Sequence, residues 1–476
     1  MHEPDGDQLT QALERMRGAF LSSRPETLAV RRDRIERTMR LLDENAEALC
    51  DAMSADFGNR AREQSMLADI LPPLSAGKYC LKNLSSWAKA DKRAVQFPLN
   101  LMGAKAEVRY EPKGVVGNIA PWNFPVGLAF TPLMQIFAAG NRAMIKPSEI
   151  TPRTSELVAK LVHKTFAPEE CLVVTGGPDV AQAFSALPFD HLVFTGSTAV
   201  GRQVMEAAAR NLTPVTLELG GKSPAILGRG ADLALAANRI VMGKLMNAGQ
   251  VCIAPDYLLV REEDEVEAIG ALSDAAKAMY PTIADNDDYA GIVSDKQFER
   301  LGGLLADARE MGADIIALRP DREPEGGNAR KLPLTIVRKV EDDMAIMQEE
   351  IFGPLLPVLT YRSIDDAIAR INRRDHPLAL YYFGPDEGER EQVLTQTLSG
   401  GVTLDDTTFH YTVDTLPFGG VGPSGMGAYH GVEGFREFSH ARAVYRQPKI
   451  DIAGKVGLRP PYGEATRKTI ARLRKG

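Results

Sequence analysis

The sequence predicts an α/β fold in which a doubly wound parallel sheet is followed by a second α/β unit, with a β-hairpin arm beside them. Three observations predict it. Short apolar runs alternate with helix-period stretches between 114 and 220, strand-like runs return between 222 and 405, and the segment 91–111 changes to a period of two. A chain of 476 residues also exceeds the roughly 250–300 residues at which one core stops growing, so about two or three domains are expected.

From about 7 to 90, Leu28, Arg31, Ile35, Met39, Leu42 and Leu49 recur near a helical period with charges between them, the mark of helices that cover a sheet. In 91–111, Phe97, Leu99 and Leu101 alternate, and Val108 and Tyr110 follow a glycine. This reads as a projecting hairpin suited to an oligomerisation arm. Strands are then expected at Val115–Ala120, Ala143–Ile145, Leu172–Thr175 and His191–Thr195, with helices near 126–139, 151–166, 179–187 and 198–210. That alternation specifies βαβ crossovers, and such sheets take ligands beyond the carboxyl ends of their strands. Asn123, Lys146-Pro-Ser-Glu149, Gly176-Gly177 and Gly196-Ser-Thr198 collect at those ends. The second unit has strand-like runs at Pro224–Leu227, Tyr257–Val260, Pro333–Val337, Leu356–Leu359 and Leu380–Phe383. From 449 the chain is basic, with Lys449, Lys455, Arg459, Arg467, Lys468, Arg472, Arg474 and Lys475. It reads as a solvated surface or subunit-contact segment, too poor in apolar residues to anchor in a membrane.

Hydrophobic content of 44%, charged content of 25% and a net charge of -7 describe an ordinary globular protein with no field suited to nucleic acid. No apolar run approaches the roughly 20 residues of a membrane span, and the opening Met-His-Glu-Pro-Asp-Gly-Asp does not resemble a signal peptide. A cytoplasmic location is expected. The four cysteines, Cys50, Cys80, Cys171 and Cys252, are too dispersed for a disulfide framework or clustered metal ligands, so no metal is expected.

Cys252 stands in Asn247-Ala-Gly-Gln-Val-Cys252-Ile-Ala-Pro255, a loop of small residues entering a strand. Alone it is more readily read as a small buried hydrophobe, because a nucleophilic thiol needs a lowered pKa or a neighbouring base. Glu218, in Thr216-Leu-Glu-Leu-Gly-Gly-Lys222, closes a strand-like run. Its leucine neighbours would desolvate it toward general-base strength, and a surface glutamate is the plain alternative. Asn123 lies between two prolines and two aromatics in Ala120-Pro-Trp-Asn-Phe-Pro125. A rigid amide there suits an oxyanion, and it also suits a helix cap.

Phe194-Thr-Gly-Ser-Thr-Ala-Val-Gly201 follows a strand and opens a helix, so its N–H groups could receive a pyrophosphate. Gly420-Val-Gly422-Pro-Ser-Gly425 matches the dinucleotide fingerprint formally, but it follows Pro417 in a glycine-rich loop and reads as structural. Lys146 and Glu149 could bond the ribose hydroxyls of an adenosine or simply pair with each other. Phe124, Phe409, His410 and Tyr411 could line an apolar entrance or pack in loops.

These segments together resemble the aldehyde dehydrogenase superfamily over almost the whole chain. The motifs are Pro121-Trp-Asn-Phe-Pro125, Lys146-Pro-Ser-Glu149, Phe194-Thr-Gly-Ser-Thr198, Leu217-Glu-Leu-Gly-Gly-Lys222, Gly249-Gln-Val-Cys252, Glu349-Glu-Ile-Phe-Gly-Pro354 and Pro417-Phe-Gly-Gly420, in the family's order. The resemblance implies a doubly wound cofactor domain (1–92 and 112–220), an α/β catalytic domain (221–425), an oligomerisation arm (93–111 and 440–450) and a basic C-terminal tail (451–476). It implies that Cys252 is the nucleophile, that Asn123 and the Cys252 amide form an oxyanion hole, and that Glu218 is the base. Trp122, Lys146, Ser148, Glu149, Gly196, Ser197, Gly201, Glu350 and Phe352 fall at its cofactor-binding positions. Cys252-Ile-Ala-Pro-Asp-Tyr257 and Gly420-Val-Gly-Pro-Ser-Gly-Met-Gly-Ala-Tyr-His-Gly431 look like the class-three branch and its coniferyl aldehyde dehydrogenase relatives. The implied activity is oxidation of an aromatic or medium-chain aldehyde with NAD, NADP being possible, by a homodimer. A coenzyme-A-acylating enzyme and a non-catalytic protein that kept the fold are the alternatives. Val251 departs from the branch, where threonine commonly precedes the nucleophile.

Overall fold

The computed structural model describes residues 4–475 except 98, 321–329 and 456; the first three residues of the opening segment lie outside it. Three sheets organise the chain. β1 (Asp91–Arg93) and β2 (Lys105–Pro112) begin the arm. β3 (Val115–Ile119), β4 (Arg142–Lys146), β5 (Cys171–Val173), β6 (His191–Thr195) and β7 (Val215–Glu218) form the parallel part of the first body sheet. β8 (Pro224–Leu227), β9 (Tyr257–Arg261), β10 (Asp314–Ala317), β11 (Thr335–Arg338), β12 (Leu355–Tyr361), β13 (Ala379–Phe383) and β14 (Gly401–Leu404) form the second. β15 (Gly425–Met426) then returns to pair antiparallel with β7, and β16 (Ser439–Arg446) returns to the arm.

The first sheet runs β15-β7-β6-β3-β4-β5. Its order reverses between β3 and β6, and that reversal is where an open α/β sheet leaves a ligand crevice. Here the crevice is bordered by Trp122 and Asn123 after β3 and by Gly196 and Ser197 after β6. β3, β4 and β6 are buried along their full length, as strands covered on both faces must be. One cover is the helix Gly127–Ala139, every residue of which is buried. Its first turn is satisfied from outside, because Asp69 Oδ1 accepts the N–H groups of Val126 at 3.0 Å and Gly127 at 2.8 Å.

The second sheet runs β10-β11-β12-β9-β8-β13-β14, parallel except for β10. The chain passes from the carboxyl end of β7 directly into β8, so the functional loops gather between the carboxyl ends of the first sheet and the amino ends of β8 and β9.

The arm differs from the sequence reading. A hairpin is present, but Asp91–Arg93 pairs with residues 106–108, while Phe97, Leu99 and Leu101 lie in turns. Phe97 and Leu101 alternate because they are exposed turn residues, not because they face a core. β2 pairs over eight residues with β16, from Ser439 against Pro112 to Arg446 against Lys105. In the second sheet Pro333 and Leu334 precede the strand that begins at Thr335. The edge strands β10, β14 and β15 carry too few alternating apolar residues to signal themselves. The basic segment includes the helix Glu464–Leu473.

Candidate active site

Cys252 is half-buried and follows a strained loop. Asn247, Ala248 and Gly249 are consecutive left-handed residues, with φ of 49°, 51° and 78°. For the two that are not glycine this conformation costs roughly 1–2 kcal/mol each. Hydrogen bonds hold the loop against that strain. Gln250 is fully buried; its Nε2 donates to Asn247 O (2.9 Å) and Gly291 O (3.0 Å), and its Oε1 accepts from Val293 N (2.9 Å). A Cβ on Gly249 would sit 2.4 Å from the Gly353 carbonyl oxygen, so only glycine lets the 349–354 loop close over the Cys252 loop. Val251 is buried in the core and offers no hydroxyl to the thiol. Burial, then the charges of Glu350 and Glu218, push the Cys252 thiol well up from its ordinary value, while the backbone N–H groups of Cys252 and Ile253 oppose the shift.

Glu218 ends β7 and is 3% exposed, and neither carboxyl oxygen has a hydrogen-bond partner among the described residues. Burial, reinforced by the charge of Glu437, raises its pKa well above the carboxylate range. A buried carboxyl with both oxygens free is costly unless something else, such as a water or a substrate, uses it.

Asn123 is buried at the start of the helix Gly127–Ala139. Its Nδ2 donates to Gln250 O at 3.2 Å, two residues before Cys252. Its carbonyl accepts from Arg60 Nη1 (3.0 Å) and Asn247 Nδ2 (3.1 Å). Arg60 in turn is paired with Asp69 at 2.6 Å, both side chains being wholly buried. One ion pair therefore fixes Asn123 through its backbone and caps the helix behind it.

Glu350 comes from the second sheet yet lies against the first, because a Cβ on Gly220 would be 1.9 Å from its Oε2. Burial, then Asp256, raises its pKa to about 8, with Lys222 and the Gly221 N–H opposing. Its loop is strapped down. Lys222 Nζ donates to Asp256, to Ile346 O (2.8 Å) and to Glu349 O (3.0 Å); Asp256 Oδ2 accepts from Ile351 N (2.9 Å). Lys244, 1% exposed in the same group, has its pKa lowered to about 8 by burial. Phe352 has a φ of 51° and meets Trp122 edge-on at 5.2 Å, and Trp122 also contacts Phe57.

On the other side of the crevice, buried Lys146 Nζ pairs with exposed Glu149 Oε2 at 3.0 Å. Ser148 is occupied in its turn, with Oγ accepting from Ile150 N at 3.2 Å. Ser197 caps the helix Thr198–Ala209, Val200 in its first turn is 44% exposed, and Thr195 Oγ1 is buried without a partner among the described residues. Gly201 faces the strand side, where a Cβ would lie 2.6 Å from Leu219. An exposed carboxylate for a diol, an open helix N-terminus for a pyrophosphate, and Phe352 with Glu350 at the far end make a set that fits a nicotinamide dinucleotide. Gly420–Gly425 lines the edge of β7, where a Cβ on Gly425 would be 2.1 Å from Leu217 O, and its Pro423 carbonyl accepts from Thr198 Oγ1 at 3.2 Å. No group of three or more His, Cys, Asp or Glu among the described residues could hold a metal.

Of the aromatic residues singled out in the sequence, Phe124 and His410 are buried and Phe409 is 50% exposed. Burial, then the charge of Cys252, raises the Tyr411 phenol. Sequence reasoning missed Tyr429 and His430, both buried with unpartnered polar atoms. His430 stacks on Phe418 at 5.2 Å and meets Tyr411 at 5.0 Å. It also missed Arg60, Asp69, Lys244 and Asp256, for which no local motif signals a role.

The family model described as "Aldehyde dehydrogenase family" matches residues 1–444. A "Probable coniferyl aldehyde dehydrogenase" of Caulobacter vibrioides is 51% identical over 466 residues, covering 97% of this chain and 96% of that protein. The "Coniferyl aldehyde dehydrogenase" of a Pseudomonas species is 49% identical over 460 residues, covering 96% and 95%. A solved substrate-bound Staphylococcus aureus AldH superposes with a TM-score of 0.88 at 36% identity, covering 97% of this chain and 99% of that one.

Proposed function

The chain belongs to the aldehyde dehydrogenase family, and from that premise we propose that it oxidises aromatic aldehydes of the coniferyl type through a thioester on Cys252 that Glu218 helps to hydrolyse. Aldehyde oxidation with a nicotinamide dinucleotide is the family's reaction. The residue roles, the aromatic substrate and the preference for NAD are this reading's own.

The Cys252 thiolate attacks the carbonyl carbon, and the charge that develops on oxygen meets the Asn123 side-chain N–H and the Cys252 backbone N–H. Because Arg60 and Asn247 already hold Asn123, this donor needs no reorganisation. The bound cofactor supplies the acceptor for the hydride that converts the thiohemiacetal to the thioester. Lys146, Glu149, Gly196 and Ser197 would hold its adenosine and pyrophosphate, with Glu350, Phe352 and Trp122 at the nicotinamide half. Glu149 favours NAD, since its carboxylate would repel a 2′-phosphate. Glu218 then takes a proton from the water that attacks the thioester, and its desolvation makes it a stronger base than a surface carboxylate.

One observation carries the hydrolytic reading: a buried carboxyl with both oxygens unpartnered, close enough to Cys252 to shift its thiol. The aromatic substrate rests on the names of the relatives at 51% and 49% identity and on Phe124, Tyr411, Phe418 and His430 near the site. In this reading 1–92 with 112–220 hold the cofactor, 221–425 carry the nucleophile, and the arm pairs two copies into a cytoplasmic homodimer. Among the described residues no helix is long and apolar enough to cross a membrane. The test compares kcat/KM for coniferyl, benzyl and medium-chain aliphatic aldehydes with NAD and NADP. Preference for coniferyl aldehyde with NAD supports the proposal; preference for the aliphatic aldehydes, or acid formation only with coenzyme A, overturns it.

A further inference from the structure

Behind Glu218 lies a hydrogen-bond chain, buried at His191 and Thr216 and half-buried at its Lys113 and Glu437 ends, that the oxidation does not use. Lys113 Nζ is 3.0 Å from His191 Nδ1, His191 Nε2 is 2.7 Å from Thr216 Oγ1, and Thr216 Oγ1 is 2.8 Å from Glu437 Oε1. The direction of the chain follows from the groups in it. An ammonium only donates, so Nδ1 accepts and the imidazole proton sits on Nε2; Thr216 accepts that proton and donates its own to the carboxylate. His191 stays neutral, since burial and then Lys113 lower its pKa. Lys113 also donates to the Glu437 backbone carbonyl, so both ends of the chain close on one residue.

Thr216 and Glu218 are two residues apart on β7 and share a face. Gly427 makes the approach of Glu437 possible, because a Cβ there would lie 2.7 Å from Glu437 Oε1 and 3.1 Å from Thr216 Oγ1. Lys113 directly follows β2, and Glu437 stands two residues before β16, so the chain runs from the root of the arm to the strand that carries Glu218.

We propose that Lys113, His191 and Thr216 form a positioning device that fixes the Glu437 carboxylate behind Glu218 and so sets the strength of that base. The proposal rests on the reading of Glu218 as the base. A negative charge held near a carboxylate makes it bind its proton more tightly, so Glu437 strengthens Glu218 as a base and moves its ionisation to higher pH. The other titratable groups facing Glu218 are the Cys252 thiol and the phenols of Tyr411 and Tyr429; those facing Glu437 are His191, Lys113 and Glu218.

The experiment follows the full-length enzyme with NAD and benzaldehyde, resolving the burst of NADH from the later deacylation as a function of pH. In Glu437→Gln the acid limb of deacylation moves to lower pH by about half to one unit, while the acid limb of the burst stays in place. Thr216→Val moves the deacylation limb the same way, and Thr216→Ser, which keeps the hydroxyl, restores it. A merely structural role would lower the rates without moving one limb alone. An unmoved deacylation limb in Glu437→Gln, with deacylation still lost in Glu218→Gln, overturns the proposal alone. Deacylation intact in Glu218→Gln overturns the base reading and this proposal with it.

Discussion

The two sides of the crevice are built on different physical terms. At the carboxyl ends of β4 and β6 the groups are accessible: Glu149 is exposed, Ser197 opens a helix, and the buried charge of Lys146 is paired at 3.0 Å. Between β7, β8 and β9 the groups are buried or half-buried and shifted toward their neutral forms. Glu218 and Glu350 are raised, Cys252 is raised, and Lys222 and Lys244 are lowered, each mainly by burial. The difference matches the proposed division, in which the open side recognises the cofactor and the closed side reacts. Recognition of a polar cofactor needs donors that stay solvated until it arrives, whereas acid–base chemistry near neutral pH needs groups whose ionisation is held back.

The largest effect should fall on the buried side. Glu218→Gln should slow deacylation by about 10²–10⁴-fold, checked by comparing the NADH burst with steady turnover. The same variant should be more stable than the native protein. Between the unfolded value of about 4.3 and the raised folded value, the carboxyl keeps its proton in the folded state and loses it in the unfolded state, so native stability falls as pH rises through that window, above which the folded carboxylate is free to act as a base. The melting-temperature gap should therefore widen from pH 5 to pH 9 and close in acid; a constant gap would deny the desolvation. Asn123→Ala should cost about 10²–10³-fold in the burst rate if its N–H meets the oxyanion, and an effect on aldehyde KM alone would contradict that role.

Asp256→Ala probes the strap under Glu350. It strands the buried Lys222 and should destabilise the fold by about 3–5 kcal/mol in denaturant unfolding, against little change if the pair were effectively exposed. The smallest effect should come from the open side. Glu149→Gln should weaken NAD about tenfold in equilibrium titration, as expected for losing one charge-assisted hydrogen bond. NADP should weaken less; equal losses would remove Glu149 from the ribose.

The same contrast explains what could be read in the sequence. His191–Thr195 and Pro224–Leu227 were legible to the residue because buried parallel strands are short apolar runs. Cys252, Glu218 and Asn123 were legible because each lies in a local motif. The supports were not. Arg60 reaches Asn123 across 63 positions, Ile351 reaches Asp256 across 95, and Thr216 reaches Glu437 across 221. No local period encodes such pairings; only the fold brings them together. The exposed turn at Phe97 shows the converse, since an alternation with no core behind it imitates a strand.

The central claim is that Cys252 carries the acyl group and Glu218 releases it. The most direct test mixes Glu218→Gln with NAD and coniferyl aldehyde, quenches in acid and weighs the peptide that contains Cys252. The account predicts a stoichiometric NADH burst and an acyl adduct on Cys252 that persists in the variant and turns over in the native enzyme. A burst without that adduct, or an adduct that disappears as fast in the variant as in the native enzyme, would contradict it.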